Sequence, residues 1–230
     1  MVKALFFDAG PIITLVMSRM VWLLPKLKEK YGGKFYITPS VKTELIERPL
    51  KIKRFEFEAL QVMRLIEDKV LEVYDKVPTT KSKQLLGLAN SSFKIKNKTM
   101  DIIQAGEIES VASAIDMGAD GIVMDERTLR LLIENGNELE KLLEYRFKRD
   151  VISNYDKIKQ FSQEVKDVKI IRSIELVSVA FKLGLLNSFQ PKIAKGKEKL
   201  VDAILWATKY NGCAVTQDEI MEISESLLKK

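Results

Sequence analysis

Short apolar runs alternate with longer stretches of helical periodicity along the first three-quarters of the chain. The apolar runs have the length and composition of buried strands, and they lie at 3–7, 34–37, 70–74, 121–124 and 168–171. Between them, apolar residues recur at the three- and four-residue spacing of amphipathic helices. Strands that alternate with helices favour parallel pairing. The pattern therefore predicts an α/β fold, a three-layer α/β/α sandwich with a central parallel sheet.

The predicted helices are bounded by glycine, proline and capping residues. We expect them at 11–30, 40–48, 53–68, 105–117, 128–134, 137–148, 151–164 and 173–184. Ser40 is expected to cap the second of these helices, which places Glu44 close to the start of that helix.

The pattern changes beyond residue 185. A loop-like stretch is followed by an amphipathic helix at 197–210. Thr216, with Glu219 three residues later, has the signature of a capping box that begins a last helix. We therefore divide the chain into an α/β domain at 1–185 and a helical C-terminal appendage at 186–230.

The segment 76–99 is basic and has poor helical periodicity. It contains no acidic residue and the lysines Lys76, Lys81, Lys83, Lys94, Lys96 and Lys98. A short helix around 84–90 fits inside this basic insertion. We predict that Lys94, Lys96 and Lys98 bind the phosphates of a nucleic acid. A merely solvated loop is the alternative.

The composition removes several classes of chemistry. The chain has 230 residues, 46% of them apolar, which is enough for one large domain with a core. It contains no histidine, so Ser-His-Asp and Cys-His catalysis and histidine-bound zinc are excluded. Cys213 is the only cysteine, so no disulfide can form within the chain and a reducing, cytoplasmic setting is expected. No uncharged apolar run reaches ~18 residues, so we expect no membrane span.

Four carboxylates lie where predicted strands end or predicted helices begin: Asp8, Glu44, Glu107 and Asp125. The carboxyl ends of parallel strands meet at one edge of a sheet, so these side chains are expected to share one cavity. Clustered carboxylates repel one another and raise one another's pKa, and a divalent cation reverses that cost. Because the chain can offer only a set of oxygen ligands, the predicted cofactor is Mg²⁺ or Mn²⁺.

The sequence motifs around these acids resemble those of the PIN-domain nucleases. The motifs are Phe6-Phe7-Asp8-Ala9-Gly10-Pro11-Ile12-Ile13, Pro39-Ser40-Val41-x-x-Glu44-Leu45, and the stretch from Gly106-Glu107-x-Glu109 to Asp125-Glu126-Arg127. The Gly-Glu-x-Glu form is similar to the third acidic motif of many archaeal and bacterial members. The resemblance covers the region 1–185. It departs from the family pattern at Gly10, where many members carry Ser or Asn.

The resemblance implies a metal-dependent endoribonuclease in which those four acids are the catalytic and metal-binding residues. The products would carry 3′-hydroxyl and 5′-phosphate ends. Glu109 and Glu126 are expected to support or extend this ligand set. Arg127 is expected to bind a phosphate, and an ordinary surface position at the start of a helix is the alternative.

Hydrolysis of RNA is therefore the function that we favour from the sequence. The alternative is a catalytically inactive PIN-like protein that binds RNA or serves as a scaffold. A phosphatase of the haloacid-dehalogenase type is disfavoured, because that chemistry needs a second Asp two residues after Asp8, where Gly10 stands. RNA is the expected partner, a homodimer is left open, and an antitoxin-type partner protein is not indicated by this chain. Asp202 and Asp218 repeat part of the acidic pattern, either by chance or as a second acidic site.

Overall fold

The computed structural model describes residues 3–229 and contains a five-stranded sheet with the order β3-β2-β1-β6-β8. All of its neighbouring strands are parallel. A second, antiparallel sheet has the order β5-β4-β7. The strands within the described residues are β1 (Ala4–Phe7), β2 (Lys34–Ile37), β3 (Glu72–Val73), β4 (Phe93–Ile95), β5 (Lys98–Thr99), β6 (Gly121–Val123), β7 (Ile152–Ser153) and β8 (Ile170–Ile171).

Helices connect the strands and form most of the chain. In the described residues they are α1 (Ala9–Met17), α2 (Leu23–Tyr31), α3 (Pro39–Lys42), α4 (Glu56–Glu67), α5 (Thr79–Asn90), α6 (Ala105–Met117), α7 (Arg127–Glu134), α8 (Gly136–Phe147), α9 (Tyr155–Val165), α10 (Ser173–Lys182), α11 (Gly196–Tyr210) and α12 (Gln217–Leu228). A π-helical segment, Thr43–Glu47, continues α3, and short 3₁₀ turns lie at Pro49–Lys51 and Asn187–Phe189.

The alternation of side chains along β1 divides the core into two parts. Leu5 and Phe7 face one apolar cluster, which includes side chains of α1–α4 and α10–α12. Phe6 faces a second cluster, which includes side chains of α5–α9. Every residue of β1 is buried, as expected for a central strand that is covered by helices on both faces. The predicted α/β class and its central parallel sheet are confirmed.

The last two helices pack into the first of these clusters. Leu200, Val201 and Leu205 of α11 are buried there, together with Ile220 and Leu227 of α12. These side chains share their apolar environment with α1 and α10, on the same face of the sheet. The proposed division of the chain at 185 stays a prediction.

An ion-pair network connects α12 to the start of α10. Arg172 precedes α10, and its guanidinium lies 2.6 Å from Glu175 Oε1 and 2.7 Å from Glu219 Oε1. The Arg172 side chain is only 12% exposed, so water screens these contacts less than it screens surface pairs. Glu219 also accepts a hydrogen bond from the Thr216 backbone N–H, which confirms the predicted capping box. The hydrogen bond from the Thr216 backbone and the charge on Arg172 lower the pKa of Glu219 to about 2, against the effect of burial.

The predicted helix at 11–30 is wrong in one respect, because it is two helices. The chain leaves the helical path after Ser18, where Arg19 adopts a left-handed conformation with φ 59°. Ser18 Oγ donates a hydrogen bond to the Thr14 carbonyl, 2.6 Å away, and so satisfies an acceptor at the end of α1. Met20 N–H then closes the turn on the Leu15 carbonyl.

Two further boundaries differ from the predictions because of local capping. Thr38, not Ser40, caps α3, since Thr38 Oγ1 accepts from Val41 N–H and Pro39 occupies the first helical position. The helix predicted at 151–164 begins only at Tyr155, because Asn154 caps it and the two residues before Asn154 pair with β4.

The basic segment 76–99 is more regular than its periodicity predicts. It forms the twelve-residue helix α5 and then the hairpin β4–β5. Leu85, Ala89 and Phe93 anchor it in the second cluster, and the lysines lie around these apolar positions. Lys96 and Asn97 form the hairpin turn with positive φ values of 47° and 63°. None of the helices between residues 3 and 229 is both long and apolar enough to cross a membrane.

The packing of α11 predicts how the C-terminal part of the chain unfolds. Leu205 is fully buried in the cluster that also holds α1. We expect Leu205→Ala to lower the free energy of unfolding by about 2–5 kcal/mol, which is the usual cost of a cavity in a packed core. Urea unfolding followed by circular dichroism measures the change.

The matched control is Leu183→Ala, because Leu183 is 45% exposed and its truncation should change stability little. The transition shifted by Leu205→Ala should be the one shifted by Leu15→Ala in α1. A separate, earlier transition for Leu205→Ala alone would contradict shared packing of α11 with the sheet.

Candidate functional site

One open cavity of about 520 Å³ at the carboxyl edge of the sheet contains all four predicted acids. Asp8 directly follows β1, and its N–H donates to the Val123 carbonyl, which continues the pairing of β1 with β6. Asp125 follows β6 by two residues. The acidic cavity, as we name it, is lined by Asp8, Gly10, Glu44, Glu107, Asp125, Glu126, Arg127, Thr128, Leu142, Arg146, Gly212 and Ala214.

Asp8 is buried at the start of α1, with 7% of its surface exposed. It caps the helix, and Oδ2 accepts a hydrogen bond from Gly10 N–H at 3.4 Å. Burial, with smaller contributions from the charges of Glu44 and Asp125, raises the pKa of Asp8 to about 6, although the backbone N–H groups of Ala9 and Gly10 oppose the rise. The raised pKa shows that the fold stabilises the ionised form of Asp8 less than water does.

Gly10 lies between Asp8 and Asp125. A Cβ at this position would be 3.5 Å from Asp125 Cβ and 3.6 Å from Asp8 Oδ2, which is ordinary van der Waals contact. The backbone therefore does not require glycine here. Its effect is to leave the space between the two carboxylates open to the cavity.

Glu107 enters the cavity from the first turn of α6. Its Oε2 accepts a hydrogen bond from Gln104 N–H at 2.9 Å, so the side chain also caps the helix. Burial, together with the nearby charges of Glu126, Asp8 and Glu44, raises the pKa of Glu107 to about 7, although the hydrogen bond from Gln104 opposes the rise. Neighbouring acids thus raise the pKa values of both Glu107 and Asp8, and both groups titrate in a range where carboxyl groups are usually ionised.

Glu44 is exposed and lies in the π-helical segment Thr43–Glu47, one turn further along the helix than predicted. The Arg48 N–H donates to the Thr43 carbonyl, which is the five-residue spacing of a π-helix. Such segments are rare and occur frequently at functional sites. Glu44 also lines a neighbouring apolar groove, so it stands at the border between two cavities.

Asp125 differs from the other acids because both of its oxygens already accept hydrogen bonds. Thr14 Oγ1 donates to Oδ2 at 3.0 Å, and the Ser173 N–H at the start of α10 donates to Oδ1 at 2.8 Å. The side chain is 4% exposed. Asp125 therefore connects β6 to α1 and α10, and it contributes negative charge to the cavity. Cys213 is buried beside it, and burial together with this charge raises the pKa of the thiol to about 12.

Some of the other predicted site residues line the acidic cavity, and the rest lie outside it. Glu126 lines the cavity and caps α7, where its Oε2 accepts from Leu129 N–H at 2.6 Å. Arg127 also lines the cavity. Glu109 is on α6 but is not part of the lining. The lysines of the β4–β5 hairpin, Lys94, Lys96 and Lys98, do not line the cavity either.

Arg146, Gly212 and Ala214 were not identified from the sequence. Arg146 is in the last turn of α8, and the other two lie in the loop between α11 and α12. No motif marks them, because they reach the cavity only through long-range packing. The one available signal in the sequence is the glycine at 212, which predicts a turn. In the structure its φ is 136°, a value accessible mainly to glycine.

The cavity has the ligand chemistry of a divalent-cation site but is not a preformed metal site. Between residues 3 and 229, no three His, Cys, Asp or Glu side chains are close enough together to hold a metal ion. The four acids form no salt bridge within those residues, so no side-chain cation neutralises them at close range. Carboxylate oxygens of this kind suit Mg²⁺ or Mn²⁺. Of the four, Glu44 is exposed and the other three are anchored by hydrogen bonds.

Comparison of the chain with protein-family models, with curated proteins and with solved structures finds no match. The resemblance to PIN-domain nucleases therefore stands on the sequence motifs alone.

The electrostatics of the cavity predict a dependence of stability on pH. A carboxyl group whose pKa is higher in the folded state than in the unfolded state destabilises the fold when it is ionised. Stability should therefore fall as the pH rises from about 4, where unfolded carboxyl groups lose their protons, to about 7, the raised pKa of Glu107. Asp8→Asn should remove part of this fall and raise the free energy of unfolding at pH 7.5 by about 1–3 kcal/mol.

Asp125→Asn is the informative comparison. An amide has only one acceptor oxygen, so it cannot replace both carboxylate oxygens, which accept hydrogen bonds from Thr14 and Ser173. We expect this variant to lose about 1–3 kcal/mol. Asp202→Asn, on an exposed part of α11, is the control with no expected effect. Urea unfolding in EDTA across this pH range measures all three, and a loss of stability in Asp8→Asn would contradict the electrostatic account.

Proposed function

We propose that this protein is a metal-dependent endoribonuclease whose catalytic centre is the acidic cavity. One observation carries the proposal: Asp8, Glu44, Glu107 and Asp125 line the same open cavity, and within residues 3–229 none of them forms a salt bridge. Two of them, Asp8 and Glu107, have raised pKa values because burial and neighbouring acids disfavour their charge. A divalent cation would relieve that cost, and the same cation is the usual agent of phosphodiester hydrolysis.

In this proposal Asp8, Glu107 and Glu44 would hold Mg²⁺ or Mn²⁺ after the exposed Glu44 side chain moves closer to the other two, because no three acids of the described residues stand close enough to hold an ion. When bound, the ion supplies a more acidic water and neutralises charge on the phosphate. Asp125 keeps α1 and α10 in register with β6 through Thr14 and Ser173, and adds negative charge. Glu126 caps the start of α7, whereas Glu109 lies on α6 outside the cavity lining.

The cations of the cavity would orient the substrate. Arg127 and Arg146 both line it, and a guanidinium can bind a phosphate through two parallel hydrogen bonds. RNA is the proposed substrate, and the family resemblance implies 3′-hydroxyl and 5′-phosphate products. The single, buried Cys213 is compatible with a reducing cytoplasmic compartment.

A catalytically inactive RNA-binding or scaffold protein is the second candidate. Two observations favour it: the described residues contain no preformed group of metal ligands, and Asp125 already uses both oxygens for hydrogen bonds. An inactive protein that binds RNA would differ from the nuclease only in the absence of turnover, and a scaffold would also lack RNA binding.

The test of catalysis is cleavage of labelled single-stranded RNA with Mg²⁺, Mn²⁺ or EDTA. We expect cleavage with either ion and none in EDTA. Asp8→Asn should lower the rate by at least about 100-fold, because an amide is a much poorer ligand than a carboxylate. Glu109→Gln is the matched control, since Glu109 lies on α6 outside the cavity. Full activity of a folded Asp8→Asn variant, or activity that survives EDTA, would exclude this catalytic centre.

The hairpin lysines give a separate prediction about binding. Lys96 and Lys98 are exposed and Lys94 is half-buried on the β4–β5 hairpin. If they bind phosphates, replacing all three by Ala should lower the slope of log K against log salt by up to ~2, at roughly 0.7 for each single-strand contact. The control, Lys182, Lys192 and Lys199 replaced by Ala, makes the same change in net charge at exposed positions elsewhere. Equal slopes for the two triple variants would show that the hairpin is only a solvated surface.

A further inference from the structure

An apolar groove of about 580 Å³ adjoins the acidic cavity. Its walls are α1, the π-helical segment that follows α3, α4 and the end of α11. Glu44 and Gly212 line both the groove and the acidic cavity, so the two are continuous. If one unit of a linear polymer is bound at the acids, the adjacent units would therefore lie in the groove.

The surface of the groove is apolar and partly aromatic. Ile13 and Met17 of α1 line it and are 40% and 41% exposed. Phe55 forms part of the opposite wall. Tyr210 stands at the rim with 76% of its surface exposed, and its ring stacks on Trp206 with centroids 5.4 Å apart. A flat ring that is held in place and open on its other face is suited to stacking of another flat ring.

A buried acceptor lies among these apolar side chains. Glu58 of α4 lines the groove, and its Oε2 is buried without a hydrogen-bond partner in the described part of the chain. A buried carboxylate oxygen without a donor is costly. An occupant that supplies an N–H group from an otherwise apolar body would remove that cost.

The outer edge of the groove is strongly basic. The segment 48–54 contains Arg48, Lys51, Lys53 and Arg54, all of them exposed. Among residues 3–229, only Lys53 of these four forms a salt bridge, with Glu56. The Arg54 guanidinium lies over the Phe55 ring, 5.3 Å from its centroid, and also lines the groove. Positive charge is thus concentrated in one segment beside a surface that is apolar and aromatic.

We propose that this groove binds unpaired bases of single-stranded RNA next to the phosphate in the acidic cavity, with the adjoining phosphates on segment 48–54. The inference rests on the proposed function, because it assigns the groove to the same substrate. Single-stranded nucleic acid is recognised by aromatic platforms beside a basic track, and that combination is present here. A protein segment would match the apolar floor but would not need the four exposed cations.

The orphaned Glu58 oxygen adds a preference among bases. Cytosine carries an exocyclic amino group that can donate to a carboxylate, whereas uracil has a carbonyl oxygen at the same position. The two bases are similar in size and shape, and the one ring donor of uracil, its N3–H, is flanked by two carbonyl oxygens that a carboxylate repels. The groove should therefore favour cytosine over uracil.

The experiment measures binding apart from cleavage. Fluorescein-labelled oligo-C and oligo-U decamers are titrated with protein that carries Asp8→Asn, in Mg²⁺, and followed by fluorescence anisotropy. Tyr210→Ala should weaken binding of oligo-C by about five-fold to a hundred-fold, the usual effect of removing a stacking platform. The control is Tyr145→Ala on α8, because Tyr145 is 74% exposed and lies outside the groove.

The base preference is tested in the same assay. Oligo-C should bind about two-fold to ten-fold more tightly than oligo-U, the value of one hydrogen bond. Glu58→Gln should bring this ratio close to one, since an amide can pair with either base, while Glu67→Gln on the same helix should leave it unchanged.

Equal effects of Tyr210→Ala and Tyr145→Ala, with no preference between the oligomers, would overturn the inference and leave a protein segment as the occupant of the groove. The cleavage assay separates this failure from that of the proposed function. Metal-dependent cleavage that is unaffected by Tyr210→Ala would keep the nuclease and reject the base site. Groove-dependent binding without any cleavage would keep the base site and favour the inactive RNA-binding protein.

Discussion

The carboxylate of Asp125 holds together three elements that meet at the carboxyl edge of the sheet. It follows β6 and accepts hydrogen bonds from Thr14 of α1 and from the first N–H of α10. A helix N-terminus leaves N–H groups without intrahelical partners, and a carboxylate there is favoured by both hydrogen bonding and the helix dipole. The position of α10 then fixes the surface on which α11 and α12 pack. A single buried acid thus determines where several distant parts of the chain come together.

The same edge of the sheet also contains acids that the fold does not satisfy. Asp8 and Glu107 each cap a helix with one oxygen, yet both have raised pKa values because they are buried near other carboxylates. Replacing either acid by a neutral side chain would be electrostatically favourable in the isolated chain. Groups that oppose stability in this way are concentrated at functional sites. The contrast between Asp125 and the pair of Asp8 and Glu107 separates a carboxylate that the fold satisfies from two that it does not within one cavity.

Much of the α/β framework could be predicted from the sequence, because it depends on local signals. The apolar run of β1, the helix at 105–117 and the capping box of α12 are all visible in short windows. The break after α1 could not be predicted, since it depends on a left-handed Arg19 and a side-chain hydrogen bond from Ser18. The regular structure of the basic segment was missed because only three of its apolar side chains are fully buried, too few to mark a periodicity.

Asp8 and Asp125 were predictable because they follow strands, and strand ends in a parallel sheet converge. Glu44 and Glu107 were predictable from their places near the starts of helices. The rest of the cavity was not. Arg146 and Gly212 approach from helices that are distant in the chain, and their positions depend on the packing of α8 and α11. The apolar groove was missed for the same reason, since its walls come from α1, α4 and the end of α11. Local pattern locates single residues, whereas a cavity is defined by surfaces that only the folded chain brings together.

The loop between α11 and α12 forms a wall of the acidic cavity that is synthesised after the four acids. Gly212 borders both the acidic cavity and the groove, and a Cβ there would lie 2.8 Å from Thr14 Oγ1, the donor to Asp125. The loop is held by the contact of Arg172 with Glu219, which lies in the last helix. During synthesis, residues 8 to 125 leave the ribosome well before these elements. The cavity therefore lacks one wall until α11 and α12 have emerged and docked.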